Sequence, residues 1–410
     1  MRFVFAYDVQ VERKSDAEEI FHNYFDYQVW KRYLQACEEL TVVTRVIDLP
    51  SGTAPKNRKL SSGPRVRFAS VPTLSNPVAQ WRNKKQAEAV ISEQLSQADA
   101  LIARLPSEIG SVAIEVAKRM GKPWAVEVVG HAWDALWNHG SWQGKVYAPI
   151  MTLRTKRLVK QAPRALYVTQ SFLQKHYPSD GHTVHCSNVE VSRAPEQVLQ
   201  HRIDRIQAVH DSAASMSRQT QRIGLIGSLV SQYKGVDVAI RALAQLEDKS
   251  LSLHILGEGD QMQWRQYAAK WGIGDQVYFH DPLPSGAAVW EWLDQLDLYI
   301  QPSFQEGLPR ALIEAMSRAL PCIGSTAGGI PELLDSKWII PKGNSLLLAE
   351  KMKQLAHSSV LKRESAERNY KLSHQYANDV LDARRSAFWQ AYADEVSRSS
   401  QLSMAKLVEG

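Results

Sequence analysis

Residues 303–316 read SFQEGLPRALIEAM. The segment before them, DLYIQ at 297–301, is a short apolar strand that stops at Pro302. Glu306 and Gly307 form a turn, and Pro309 is placed in the first turn of a helix, where its missing N–H costs nothing. The amides of Gly307, Leu308 and Arg310 then lack helical partners. They point out of the helix start, where the dipole favours an anion. Such a phosphate cradle at the carboxyl end of a strand is the ligand position of an open, parallel α/β sheet. Glu306 stands at its mouth. Glu314 lies two turns deeper and roughly 80° around the helix, so the two carboxylates suit different parts of one extended ligand.

Outward from this segment, strands and helices alternate along the whole chain. In the first half the expected strands are 2–7, 41–46, 65–69, 100–103, 124–129 and 165–169, with helices over 27–39, 80–97 and 109–120. In the second half strands are expected at 222–227, 251–256, 277–280, 298–301, 322–324 and 338–340, with helices over 236–246 and 262–271. Two such blocks predict two parallel, doubly wound sheets. A length of 410 residues also exceeds what a single core fills comfortably. The expected division is a first domain over 1–195, a polar linker with a surface helix over 196–221, and a second domain over 222–375. A helix over 376–396 that can cross back to the first domain and a tail over 397–410 complete it.

The spacing Glu306-x7-Glu314 after a proline-serine strand end resembles the signature of glycosyltransferase family 4. The run LIEAMSRALPCIGSTAGGIPELL, 312–334, is similar to the family's pattern through Gly328, Gly329, Pro331 and Glu332. Upstream, IGSLVSQYKGVD at 226–237 resembles the family's first strand and loop of the second domain. The resemblance implies a GT-B fold, with two Rossmann-like domains facing a cleft, and a retaining transfer from a nucleotide-diphosphate sugar. It assigns catalytic roles to Glu306, Lys234 and His131. Lys234 matches one of two basic residues that hold the diphosphate. Ser228 stands where the other is usually arginine, and Arg310 is expected to replace part of that charge. Gly257 and Gly259 in LGEGD approach the nucleoside, and Pro282 and Leu283 meet the base. Glu306 binds sugar hydroxyls, the helix start at Gly307 and Leu308 meets phosphate, and Glu314 binds the ribose diol. His131, after the strand 124–129, contacts the sugar or orients the acceptor. His22 and Asp134 are weaker candidates.

No D-x-D triplet occurs, so neither a metal nor another cofactor is expected, and the nucleotide sugar enters as substrate with UDP favoured. DVQVER after the first strand lacks the glycines of a dinucleotide-binding turn, which disfavours a dehydrogenase. A nucleotide-sugar 2-epimerase of similar fold and an inactive nucleotide-sugar-binding scaffold are the alternatives. The three cysteines, Cys37, Cys186 and Cys322, form no CxxC pair and fit buried thiols in the cytoplasm. Neither a leader segment nor a membrane span is expected. The formal charge of +6 is uneven: residues 1–200 hold 26 Lys and Arg against 19 Asp and Glu. Residues 51–87 contain no acid but Lys56, Arg58, Lys59, Arg65, Arg67, Arg82, Lys84 and Lys85, and 145–164 contain Arg154, Lys156, Arg157 and Lys160 without an acid. That field reads either as a solvated face or as a dock for an anionic membrane surface beside a saccharide or lipid-linked acceptor. Nucleic acid is not expected. Trp133, Trp137 and Trp142 read either as core or as interface residues.

Overall fold

Short, buried apolar runs decide where most of the strands fall. A computed structural model of the chain describes residues 1–14, 19–50, 53, 58–137, 142–214, 220–230 and 232–408. It divides into one unit of Met1–Cys186 with Asp382–Gly410 and a second of Ser187–Leu381. The expected boundary at 195 therefore moves to 186. Residues 196–214 are not a free linker. They form the helix Glu196–Ala214 within the second unit.

The first unit carries β1 (Arg2–Lys14), β2 (Ile20–His22), β3 (Glu39–Leu49), β4 (Lys59–Leu60), β5 (Val66–Ser70), β6 (Ala100–Leu105), β7 (Trp124–Val128), β8 (Arg164–Tyr167) and β9 (His182–His185). The parallel ladder runs β5-β3-β1-β6-β7-β8-β9, while β2 and β4 add antiparallel strands beyond β1. β1 is longer than expected. It shifts register between Ala6 and Gln10 and continues to Lys14 against β3. The helix expected over 27–39 ends at Leu34, because Glu39 already opens β3. From Asp382 onward the last helix lies in this unit. There Tyr392 packs on Phe3, Trp389 packs on Tyr33, and the Tyr392 hydroxyl donates to the Leu101 carbonyl at 3.0 Å.

The second unit carries β10 (Gln221–Ile226), β11 (Leu251–Leu256), β12 (Val277–His280), β13 (Leu298–Gln301), β14 (Cys322–Ser325) and β15 (Ile339–Ile340). All are parallel, in the order β12-β11-β10-β13-β14-β15. Every residue of β13 is buried, as expected of a strand covered on both faces. Winding reverses between β10 and β13, and the carboxyl ends of these two strands make the crevice where such sheets hold ligands. The helix Glu196–Ala214 docks through Ile206 against Ala366 and Tyr370. Its buried Arg202 donates to the carbonyls of Leu296, Leu293 and Arg318, which explains how so polar a segment packs.

Candidate functional site

The site grows from alternation in β13. Successive strand residues face opposite sides, so Tyr299 and Gln301 of β13 fall in one row, which Ser303 continues past the strand's carboxyl end. The Ile226 amide donates to the Tyr299 hydroxyl at 3.3 Å, and that hydroxyl donates to Gln301 Oε1 at 2.8 Å. Gln301 Nε2 in turn donates to Ser303 Oγ at 2.8 Å and to Glu306 Oε1 at 3.1 Å. Ser303 Oγ donates to the same Oε1 at 2.8 Å, and Lys234 Nζ reaches it at 2.8 Å. Three donors thus converge on one carboxylate oxygen, and among the described residues Oε2 stays outside the network. Burial pushes the Tyr299 hydroxyl well above its ordinary pKa, so it acts as a neutral relay.

Close backbone approach holds this network together. Lys234 ends the short 3-10 turn Gln232–Lys234, and its ammonium lies 5.3 Å from the Tyr233 ring centre. Gly235 follows at φ +72°, and a β-carbon there would fall 2.2 Å from the Pro302 carbonyl oxygen. On the far side, Gly328 at φ +54° leaves no room for a side chain either. A β-carbon would sit 2.1 Å from the Glu306 carbonyl oxygen. The Gly329 amide donates to the Gly307 carbonyl at 2.7 Å, so the double glycine clamps the backbone of the Glu306–Gly307 turn.

Pro309 stands one place earlier than expected, at the N-cap of the helix Arg310–Ser317. Among the described residues the Gly307 and Leu308 amides donate no hydrogen bond within the chain, which leaves the helix start available to an anion. Glu314 has separate neighbours. Burial raises its carboxyl above the usual carboxylate range, Arg310 pulls it back, and Glu190 adds to the rise. Glu190 was not singled out from sequence, since a lone acid in a loop carries no pattern.

Ser228 follows β10, and its hydroxyl accepts the Val230 amide at 3.2 Å. It shapes its own loop and supplies no charge. Gly257 directly follows β11, where a β-carbon would fall 1.9 Å from the Gly227 carbonyl oxygen, so its first role is close packing of two strand ends. Gly259 follows at φ +135°. Pro282 and Leu283 lie exposed in the loop after β12.

His131 belongs to the first unit, three residues past the end of β7. Its Nδ1 lies 3.3 Å from Asp134 Oδ2 but among the described residues makes no hydrogen bond, and the ring packs on His176, Phe172 and Tyr177. His22 is a buried turn acceptor. Its Nδ1 receives the amides of Tyr24 and Phe25 at 2.9 and 3.1 Å, and burial with the nearby Arg58 lowers its pKa to about 4. Lys56 lies outside the described residues. Cys37, Cys186 and Cys322 are buried thiols, and none of the three is in a disulfide. Among the described residues, no group of three His, Cys, Asp or Glu side chains is placed to hold a metal ion.

Residues 220–358 match a family model described as "Glycosyl transferases group 1". Over 377 residues the chain is 30% identical to Protein CapJ of Staphylococcus aureus, spanning 90% of this chain and 89% of CapJ. It is 33% identical over 132 residues to the amylovoran biosynthesis glycosyltransferase AmsK of Erwinia amylovora, spanning 29% of this chain and 32% of AmsK. The solved structure of Anabaena Alr3699/HepE in complex with UDP matches with a TM-score of 0.61 at 14% identity. The match covers 97% of this chain and 100% of that one, a likeness of fold.

Proposed function

The chain belongs to the group 1 glycosyltransferases, and from that premise we propose that it moves a sugar from a UDP-sugar, with retention, to a saccharide or lipid-linked acceptor. The reading is carried by one observation: Lys234, Ser303 and Gln301 fix Glu306 beside an open helix start, at the point where the sheet reverses its winding. Diphosphate would rest on the Gly307 and Leu308 amides and draw Lys234 Nζ, whose cation offsets charge on the leaving phosphate. Glu306 would then accept from sugar hydroxyls through Oε2 while Ser303 and Gln301 hold Oε1. Glu314 would accept both ribose hydroxyls, which suits a carboxylate's acceptor sites. Arg310, at the first position of that helix, is assigned to the phosphates, and His131 to the sugar or acceptor.

UDP is favoured because HepE was solved with it, and AmsK's place in amylovoran biosynthesis supports a role in polysaccharide assembly. Charge supplied by Lys234 and backbone amides makes the reaction metal-independent, so prolonged treatment with EDTA should leave turnover unchanged. Activity lost to EDTA and restored by magnesium or manganese would contradict that point. The transfer itself is tested with UDP-sugars and a panel of saccharide acceptors, the product anomer being read by NMR. Retention is expected. Acceptor-independent conversion of the donor would instead mark an epimerase.

A further inference from the structure

The helix Trp142–Lys160, in the first unit, carries apolar residues on two faces. Ala148, Met151, Leu158 and Val159 point into the core. The opposite face exposes Trp142 at 73%, Val146 at 63%, Ile150 at 55% and Leu153 at 68%. These positions repeat every three or four residues, so they form one stripe. The helix cannot turn to bury it. Glu108 accepts Arg154 Nη1 at 2.5 Å and the Tyr147 hydroxyl at 2.7 Å, and Arg154 also meets Glu115 at 2.9 Å.

The stripe has neighbours of the same character. Gln80 donates to the Tyr147 hydroxyl at 3.0 Å, which sets the start of helix Pro77–Ser96 alongside, with Val78 exposed and Trp81 85% exposed. The helix Ala132–Trp137 adds Trp133 and Trp137, partly exposed and stacked 5.2 Å apart, with Lys145 Nζ 5.6 Å from the Trp137 ring centre. Lys156, Arg157 and Lys160 follow on the exposed face, and Arg82 and Lys85 lie beside Trp81. Among the described residues none of these five makes an ion pair. No acid stands on the exposed face of Trp142–Lys160.

We propose that these helices dock the enzyme on an anionic lipid surface. Trp142, Val146, Ile150, Leu153 and Trp81 enter the acyl boundary, and Lys156, Arg157 and Lys160 meet headgroup phosphates. Apolar stripes with unpaired cations at their edge bind interfaces in this way. A second copy of the chain fits the face poorly, because a two-fold interface would set its lysines and arginines against each other. The binding lies parallel to the surface, since among the described residues no helix is long and apolar enough to cross a membrane. The inference does not rest on the donor assignment.

The test is co-sedimentation of the full chain with vesicles of phosphatidylcholine, alone or mixed with phosphatidylglycerol. Wild type should bind the mixed vesicles, and binding should weaken as salt is raised. Ile150→Asp with Leu153→Asp, and separately Lys156→Glu with Arg157→Glu and Lys160→Glu, should each weaken it by about tenfold or more. Both variants should keep the wild-type melting temperature and response to UDP. Failure of wild type to bind mixed vesicles, variants that bind like wild type, or a wild-type dimer that Ile150→Asp with Leu153→Asp dissociates would each overturn the proposal.

Discussion

Glu306 shows why the fold spends so much local structure on one oxygen. Its Oε1 takes three donors, so its orientation is set before any ligand arrives. Replacing Glu306 with Gln should lower kcat by about 100-fold while leaving the melting temperature near wild type. Lys234→Met should cost a similar factor, read as a loss of kcat with several nucleotide sugars. Glu314 offers a pH test. Its folded carboxyl is raised by burial, so the folded chain binds its proton more tightly than the unfolded chain does. That contribution to stability is full at pH below the ordinary carboxylate range and is lost as pH rises through the raised value. Glu314→Gln should therefore stabilise the protein more at neutral pH than in mild acid, by thermal melts. Stabilisation of wild type by nucleotide should also grow with pH, as Glu314 ionises and its carboxylate accepts the ribose hydroxyls. Glu306, Glu314 and Lys234 were legible in the sequence as a spaced motif. Ser303 was read only as the serine of the strand end, and Tyr299 and Gln301 were not read, because an apolar strand conceals a polar row. Their every-second-residue polarity at 299, 301 and 303 was the available signal.

Among the elements, those read best were short, nearly continuous buried runs with clear stops. β10, β11 and β13 were of this kind. The helix Trp142–Lys160 was missed as a helix, because Pro149 interrupts its interior and two apolar faces blur the helical period. Glu196–Ala214 read as linker with a surface helix because its anchor, Arg202, is polar and satisfied by carbonyls distant in sequence. β1 read short, since residues after Tyr7 carry charge and pair with β3 only beyond a register shift. The loop between β10 and its following helix yields a direct test. Gly235→Ala adds a β-carbon at φ +72° into the Pro302 carbonyl, so it should destabilise by about 2 kcal/mol or more, measured by chemical denaturation. It should also displace Lys234 and abolish transfer at temperatures where the chain remains folded.

At the scale of the molecule, two Rossmann-like units were legible from strand–helix alternation, while the boundary near 186 was not. The chain leaves the first unit at Cys186, a point that no local pattern marks, and rejoins it at Asp382, within the helix that was expected to be able to cross back. The returning helix buries Phe388, Trp389 and Tyr392, and Arg164 grips Glu395 through two bonds of 2.7 and 2.6 Å. Each aromatic is worth about 2 kcal/mol of burial, so together they rival the net stability of a typical domain, roughly 5–15 kcal/mol. A chain stopped after Leu381 should fail to fold its first unit, seen as lost solubility and lost helical circular dichroism. The proposed transfer requires the second unit to hold a nucleoside diphosphate at the end of β13. The most direct measurement is a metal-free thermal-shift panel of UDP, GDP, ADP and dTDP on wild type and Glu314→Ala. A ligand at about 100 times its Kd adds about 2.7 kcal/mol, which such a panel detects. UDP should raise the wild-type melting temperature, and Glu314→Ala should lose the response. A wild type indifferent to all four nucleotides, or a mutant that responds like wild type, would contradict the proposed transfer.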